Sequence, residues 1–259
     1  MPGEGVIHLD RVLDTSAAVC DQPEESNTSA VFLCEALSQI NEGSRFLDCL
    51  TLDEINAVRR VASSMTVEAG ECIFFQGDLH QGIFLIETGQ VRIYYAGPSG
   101  KEITLAYWTP GHFIGGPEVF GGGLHIWSAT ATERSRLSYL PGAKIRYLAE
   151  TVPAVALALI DGLVAKGRCY SALVQMLGTR SVTERLAQLL IILASADGKS
   201  TGGQMVVDRR ITHEQLAMIV GSTRQWVTST LARFQRNGHI IVTRHVIKIS
   251  DPDSLRMEC

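Results

Sequence analysis

The chain has 259 residues, 46% of them hydrophobic and 19% charged, with a formal net charge of −4. That length allows two domains with a sizeable core. No uninterrupted apolar run reaches membrane-spanning length, and the N-terminus lacks a basic start followed by an apolar block. This excludes a membrane span and a secretory signal and points to the cytoplasm.

The charge is unevenly spread. Residues 1–50 hold two arginines against nine acids, and residues 204–249 hold seven Lys/Arg against Asp208 and Glu214. Phosphate attraction is local and screened over about 8–10 Å, so the basic end can face nucleic acid despite the negative total. The six cysteines (Cys20, Cys34, Cys49, Cys72, Cys169, Cys259) form no C-x-x-C pair. Zinc and iron–sulfur sites favour close thiolate spacings, so free thiols are expected.

Residues 1–44 are an acidic extension. Asp21 to Ala30 has a disordered composition. A short amphipathic helix is expected through Phe32, Leu33, Leu37 and Ile40. From about Met65 to Leu140 short strands alternate with glycine turns: Gly89, Gly100 and Gly111 stand eleven residues apart, followed by Gly121-Gly122-Gly123. Val91/Ile93/Tyr95, Ile103/Leu105/Tyr107 and Leu137/Tyr139 have the period of two that gives a strand one inward face. The segment 45–150 therefore reads as an antiparallel roll able to enclose one small ligand.

Residues 151–180 read as a long helix and hinge. Pro153 suits a helix start. Ala156, Ile160, Leu163, Gly167, Tyr170, Val174 and Leu177 alternate spacings of four and three, a heptad seam suited to pairing with a second copy. Gly162 and Gly167 would permit close approach, and Gly178-Thr179-Arg180-Ser181 is the hinge.

The last segment, 181–259, starts with a helix over Val182–Ala194, a Gly/Ser-rich loop over 195–203 and a strand at Met205–Val207. Thr212 and Gln215 then form a capping box. Leu216, Ala217, Ile219 and Val220 supply an apolar side, and Gly221 ends the helix. Ser222 and Gln225 repeat the box for a second helix whose buried stripe is Val227, Leu231 and Phe234. Asn237-Gly238 stops it. Arg224, Gln225, Arg233 and Arg236 on that helix fit the recognition helix of a helix-turn-helix. Ile240–Val242 and Val246–Ile249 flank Thr243-Arg244-His245 as a hairpin wing. The fold expected is α+β: a jelly-roll-like β-roll, a long dimerisation helix and a winged helix-turn-helix.

In this order the segments resemble the Crp/Fnr superfamily of bacterial transcription regulators over about residues 45–249. The resemblance is carried by ITHEQLAMIVGSTRQWVTSTLARFQRNGHI, by GKEITLAYWTPGHFIGG (100–116) and by VTERLAQLL (182–190). It implies a homodimer that binds two DNA half-sites, contacts RNA polymerase and responds to an effector in a cyclic-nucleotide-binding-like roll. Arg224, Gln225 and Ser229 take the base-reading positions, with Arg224 able to make a bidentate pair to guanine. Thr212, Thr223, Thr228, Arg244 and His245 would touch phosphates, which position the protein without specifying sequence.

The resemblance also implies where an effector sits. A cyclic nucleotide needs an Arg and a hydroxyl for its phosphodiester and a Glu for the ribose; those positions here hold Ile126, Trp127 and Gly116. Burying a phosphate without a counter-charge is unfavourable by several kcal/mol. Cyclic AMP is therefore not the expected effector. Ile93, Leu105, Phe113, Ile126, Trp127 and Tyr170 would line an apolar cavity, with Glu118, His125, Tyr170 or Ser171 holding a polar end. Two alternatives stay open: a haem sensor using His80, His112, His125 or Cys72, and a regulator without an effector. A metal-dependent dioxygenase on a small barrel would need two His and a carboxylate converging. No H-x-H followed by Glu occurs in the roll, so neither an enzyme nor a metal site is expected.

Overall fold

The structure, a computed structural model, describes residues 45–197, 199–201, 204–207, 211–243 and 246–257, with backbone only for 196–197 and 199–201. The acidic extension, its expected helix, Cys20, Cys34 and Cys259 lie outside the described residues, as do Arg244 and His245.

The described chain opens with helix α1 (Leu52–Val61), capped by a Thr51/Glu54 box. Eight strands follow: β1 (Ser63–Val67), β2 (Cys72–Phe74), β3 (Gly82–Thr88), β4 (Val91–Ala96), β5 (Glu102–Trp108), β6 (Phe113–Ile114), β7 (Ser128–Ala131) and β8 (Ser135–Pro141). They form two four-stranded antiparallel sheets, ordered β1-β8-β3-β6 and β2-β7-β4-β5. Consecutive strands lie largely in opposite sheets, so the chain rolls rather than meanders. At the β3–β4 turn Gly89 has φ 90°, and a Cβ there would fall 2.7 Å from the Ser135 backbone. Only glycine combines that dihedral with so close an approach.

The expected period of two holds for Val91 and Ile93, both buried, and then breaks. Ile93 pairs with Ala106 and Tyr94 with Thr104, leaving Leu105 as the extra residue of a β-bulge. Beyond the bulge Ala106 and Trp108 join the roll's inner core, while Tyr107 turns outward into the core of the C-terminal domain. Leu105 packs against both clusters. Tyr95, expected inside, is 41% exposed at the strand end.

Two helices after the roll meet at a bend of 119°: α2 (Gly142–Thr151), which the sequence reading missed, and α3 (Pro153–Thr179), with Pro153 in its first turn. No single helix among the described residues is long and apolar enough to cross a membrane. One face of α3 is buried: Leu159, Gly162 and Cys169 pack on the roll, and Leu173 joins the cluster of the C-terminal domain. The opposite face exposes Leu157, Ile160, Val164, Gly167, Ser171 and Val174, again spaced by threes and fours. This stripe shares Ile160, Gly167 and Val174 with the expected seam. Leu163, Tyr170 and Leu177 instead turn partly into the chain's own clusters, and Ala156 is half-buried. Gly162 also differs from expectation: it faces Phe113, whose ring would stand 2.3 Å from an added Cβ, whereas Gly167 borders open space.

The C-terminal domain comprises α4 (Val182–Asp197), β9 (Lys199–Thr201), β10 (Gln204–Val207), α5 (His213–Val220), α6 (Arg224–Arg236), β11 (Ile240–Val242), β12 (Ile247–Ile249) and α7 (Pro252–Met257). Its sheet runs β11-β12-β10-β9. The wing hairpin expected from the sequence therefore joins β10 and β9. The Arg185 side chain fixes the domain beside α3: it donates to the carbonyls of Leu177 (2.7 Å), Arg180 (3.0 Å) and Val220 (3.1 Å). Lys101, in the β4–β5 turn, donates to Gly221 O at 3.0 Å.

Candidate nucleic-acid interface and effector pocket

The helix-turn-helix follows from local chemistry. Thr212 caps α5 with a complete box to Gln215, satisfying two otherwise unpaired backbone N–H groups. Gly221 ends α5 at φ 72°, and Ser222 N bonds back to Ala217 O at 2.9 Å. The second cap differs from the expected Ser222/Gln225 box: the cap is Thr223, whose hydroxyl accepts from Trp226 N at 3.2 Å. One more residue stays in the turn, which leaves the Gln225 side chain free of capping duty. Val227, Leu231 and Phe234 are buried to 2% exposure or less and seat α6 on α5.

With that stripe turned inward, Arg224, Gln225, Thr228 and Ser229 are exposed together on the outer face of α6. Their neighbours hold them in place. The Thr228 hydroxyl donates to Arg224 O at 2.9 Å and meets His213 Nδ1 at 2.8 Å. Ser229 Oγ donates to Trp226 O at 2.9 Å. Thr212 and Thr223 are exposed at the two helix starts. Arg233 departs from the basic face, reaching back to Thr183 Oγ1 at 3.2 Å.

Inside the roll the expected pocket residues divide. Ile93 is buried in the inner core, with Trp127 and Tyr170 packed on it. Trp127 Nε1 donates to Gly115 O at 3.0 Å and its ring lies 5.3 Å from Tyr170 of α3. Four others do not line this interior. His125 and Trp127 both turn inward to Gly115 O, so Ile126 between them points out and is 49% exposed. Phe113 belongs to the cluster between roll and helices, edge-on to Phe46 at 6.0 Å. Glu118 is exposed in the loop after β6, with its carboxylate beside His80, and Ser171 lies on the exposed stripe of α3.

The sequence reading missed Lys166. Its ammonium lies 3.8 Å from the Trp108 ring centre and 4.4 Å from that of Phe113, and the residue is 7% exposed. Burial lowers its pKa to about 7, partly offset by Cys169. The same burial, reinforced by Lys166, lowers His112 to about 4. Helical spacing carries no mark that distinguishes this lysine from the solvated ones. His80 and His125 are also buried, with ring centres 4.4 Å apart, and desolvation lowers both pKa values. Neither His80 ring nitrogen meets a well-aligned partner among the described residues. Among those residues no three His, Cys, Asp or Glu side chains converge as a metal site.

Residues 64–152 match the cyclic nucleotide-binding domain family, and residues 184–258 match the Crp-like helix-turn-helix domain family. The chain belongs to the Crp/Fnr family of transcription regulators. Among its relatives is a CRP-like cAMP-activated global transcriptional regulator of Mycobacterium tuberculosis, 26% identical over 201 residues that span 78% of this chain and 90% of the relative. A global nitrogen regulator of Synechocystis is 24% identical over 74% of this chain and 87% of its own. The c-di-GMP responsive regulator CLP of Xanthomonas campestris has a similar fold, with TM-score 0.69 and 16% identity over 78% of this chain and all of its own. FixK2 from Bradyrhizobium japonicum aligns with TM-score 0.60 and 19% identity, over 76% of this chain and 96% of its own. Members of the Crp/Fnr family are DNA-binding regulators rather than enzymes, and typically dimerise. The matched sensor domain implies a small-molecule effector.

Proposed function

We propose that this Crp/Fnr protein is a homodimeric, sequence-specific DNA-binding regulator gated by a small apolar or aromatic effector other than cyclic AMP. The sensor spans 45–150, the dimer helix and hinge 151–180, and the reading domain 181–259. The observation that carries the DNA reading is α6, apolar where it meets α5 and rich in donors where it does not. Arg224, Gln225 and Ser229 read bases; Thr212, Thr223 and Thr228 hold phosphates together with Arg244 and His245 of the wing. The exposed α3 stripe, with Leu157, Ile160 and Val174 each more than half exposed, supports pairing of two copies. Two-fold symmetry then delivers two recognition helices to two half-sites.

The effector assignment is supported by chemistry at the phosphate position. Trp127 uses its one N–H on Gly115 O and presents a ring against Tyr170, while Ile126 offers no charge. An aromatic molecule between roll and α3 would displace ring contacts rather than require a buried counter-ion. It would act directly on the dimer helix through Tyr170. Selection of binding sites from random duplexes should yield a two-fold symmetric motif. Titration calorimetry with cyclic AMP should give no isotherm in the micromolar range. A monomeric protein indifferent to sequence would refute the first reading, and a clear cyclic AMP isotherm the second.

A further inference from the structure

A groove of about 430 Å³ opens elsewhere on the roll, between the edge of β2 and strands β1, β8 and β3. Ile93, Trp127 and Tyr170 do not line it, although Phe74, Phe84, Met65 and Ile73 belong to the same inner core, and its argument does not depend on the effector proposed above. Its floor is a row of rings. His125 stacks on Phe74 with centres 3.9 Å apart, Phe74 stacks on Phe84 at 5.8 Å, and Phe84 meets Tyr139 at 5.0 Å. Met65 and Ile73 add apolar wall, and Leu79, 71% exposed, forms a lip.

Among the described residues the only charged one on the lining is Asp78. It is firmly placed: one carboxylate oxygen accepts from Phe75 N at 2.9 Å, and its carbonyl accepts from His125 N at 2.8 Å. Among the described residues no lysine or arginine lines the groove. Desolvation lowers the His125 pKa, so its imidazole is neutral at pH 7 and adds no opposing charge. The rings cover one another and supply apolar wall, so the negative potential of the groove comes from the Asp78 carboxylate. A phosphate or carboxylate would be repelled here. The volume suits a small ligand of the kind concave aromatic sites hold.

We infer that this groove binds a small free organic cation with an apolar body, an aryl- or alkyl-substituted ammonium. Its cationic head faces Asp78 and its apolar body lies along the aromatic wall. Because His125 and Trp127 share the Gly115 carbonyl, an occupant would press on the loop that also positions the ring against α3.

Benzyltrimethylammonium is the probe. Calorimetry on the full chain should give saturable binding, and the Met65 methyl NMR signal should shift with it. Benzoate should not bind, and the neutral carbon analogue neopentylbenzene should bind at least about five-fold more weakly. Asp78→Asn keeps the acceptor for Phe75 N–H and should weaken the cation about five-fold or more. Leu79→Lys, at an exposed lip, should do the same by repulsion. Both variants should retain wild-type melting and DNA binding, which separates this test from the reading of α6. Absence of saturable binding, or equal affinity in Asp78→Asn, would overturn the inference. Sedimentation of the protein with phosphatidylcholine vesicles would overturn its assignment to a free cation.

Discussion

The recognition helix and the roll interior handle polar side chains in opposite ways. On α6 every base-reading candidate is exposed, and only apolar residues and Thr230 are buried. Solvated donors carry little desolvation penalty, so they remain available to a partner. Where α3 meets the roll, Lys166 is sealed against Trp108 and Phe113, and His112 sits beside it. Ring faces compensate only part of a lost hydration shell, so this polar group opposes folding whenever it is charged. One region thus holds its chemistry at no expense to stability, and the other stores strain in its core.

That contrast is sharpest in Lys166→Met, which should stabilise the protein at pH 7 or below by on the order of a few kcal/mol. The pH sign follows from the lowered value. The unfolded lysine keeps its proton to about 10.5, while the folded one loses it above about 7. Unfolding therefore takes up a proton between those values, and wild-type stability should rise with pH across that window. Urea denaturation at several pH values should show the rise in wild type and its loss in the variant. An unchanged slope would remove Lys166 from the desolvated core.

Gly162→Ala tests how tightly α3 meets the roll beside that lysine. The added methyl collides with Phe113, so the variant should lose about 1–3 kcal/mol of stability, read as a lower denaturation midpoint. Gly167→Ala meets no atom of its own protomer, so a loss there would instead report the pairing of two α3 helices.

Arg224→Ala probes the other side of the comparison. It should weaken binding to the selected duplex by about 1–3 kcal/mol and relax the sequence preference, with melting and oligomeric state unchanged. Retained selectivity in a gel-shift series would take Arg224 out of the reading set. Thr212→Ala should have the smallest effect: about 1 kcal/mol of stability from the lost cap, seen in thermal melts.

The helix-turn-helix was legible because its determinants are local. Thr212, Gly221 and Asn237 act within a few residues of themselves, and Val227, Leu231 and Phe234 declare a face by spacing alone. The cap shifted by one residue, to Thr223, because two hydroxyls stand side by side and the sequence gives no geometry to choose between them. Pocket residues were legible only in part. Trp127 and Tyr170 do meet, but Ile126 and Phe113 turn elsewhere, since which way a side chain turns depends on the Leu105 bulge and on the shared Gly115 carbonyl.

What the residues alone determined was the succession of roll, long helix and helix-turn-helix, the family and the amphipathic face of α6, all set by short-range periodicity and capping. Tertiary structure decided which face of α3 is left for a second copy and which lysine is buried. It also decided where aromatic rings line up into a groove. Those outcomes depend on contacts between segments far apart in the chain, whose desolvation and packing energies no local pattern contains.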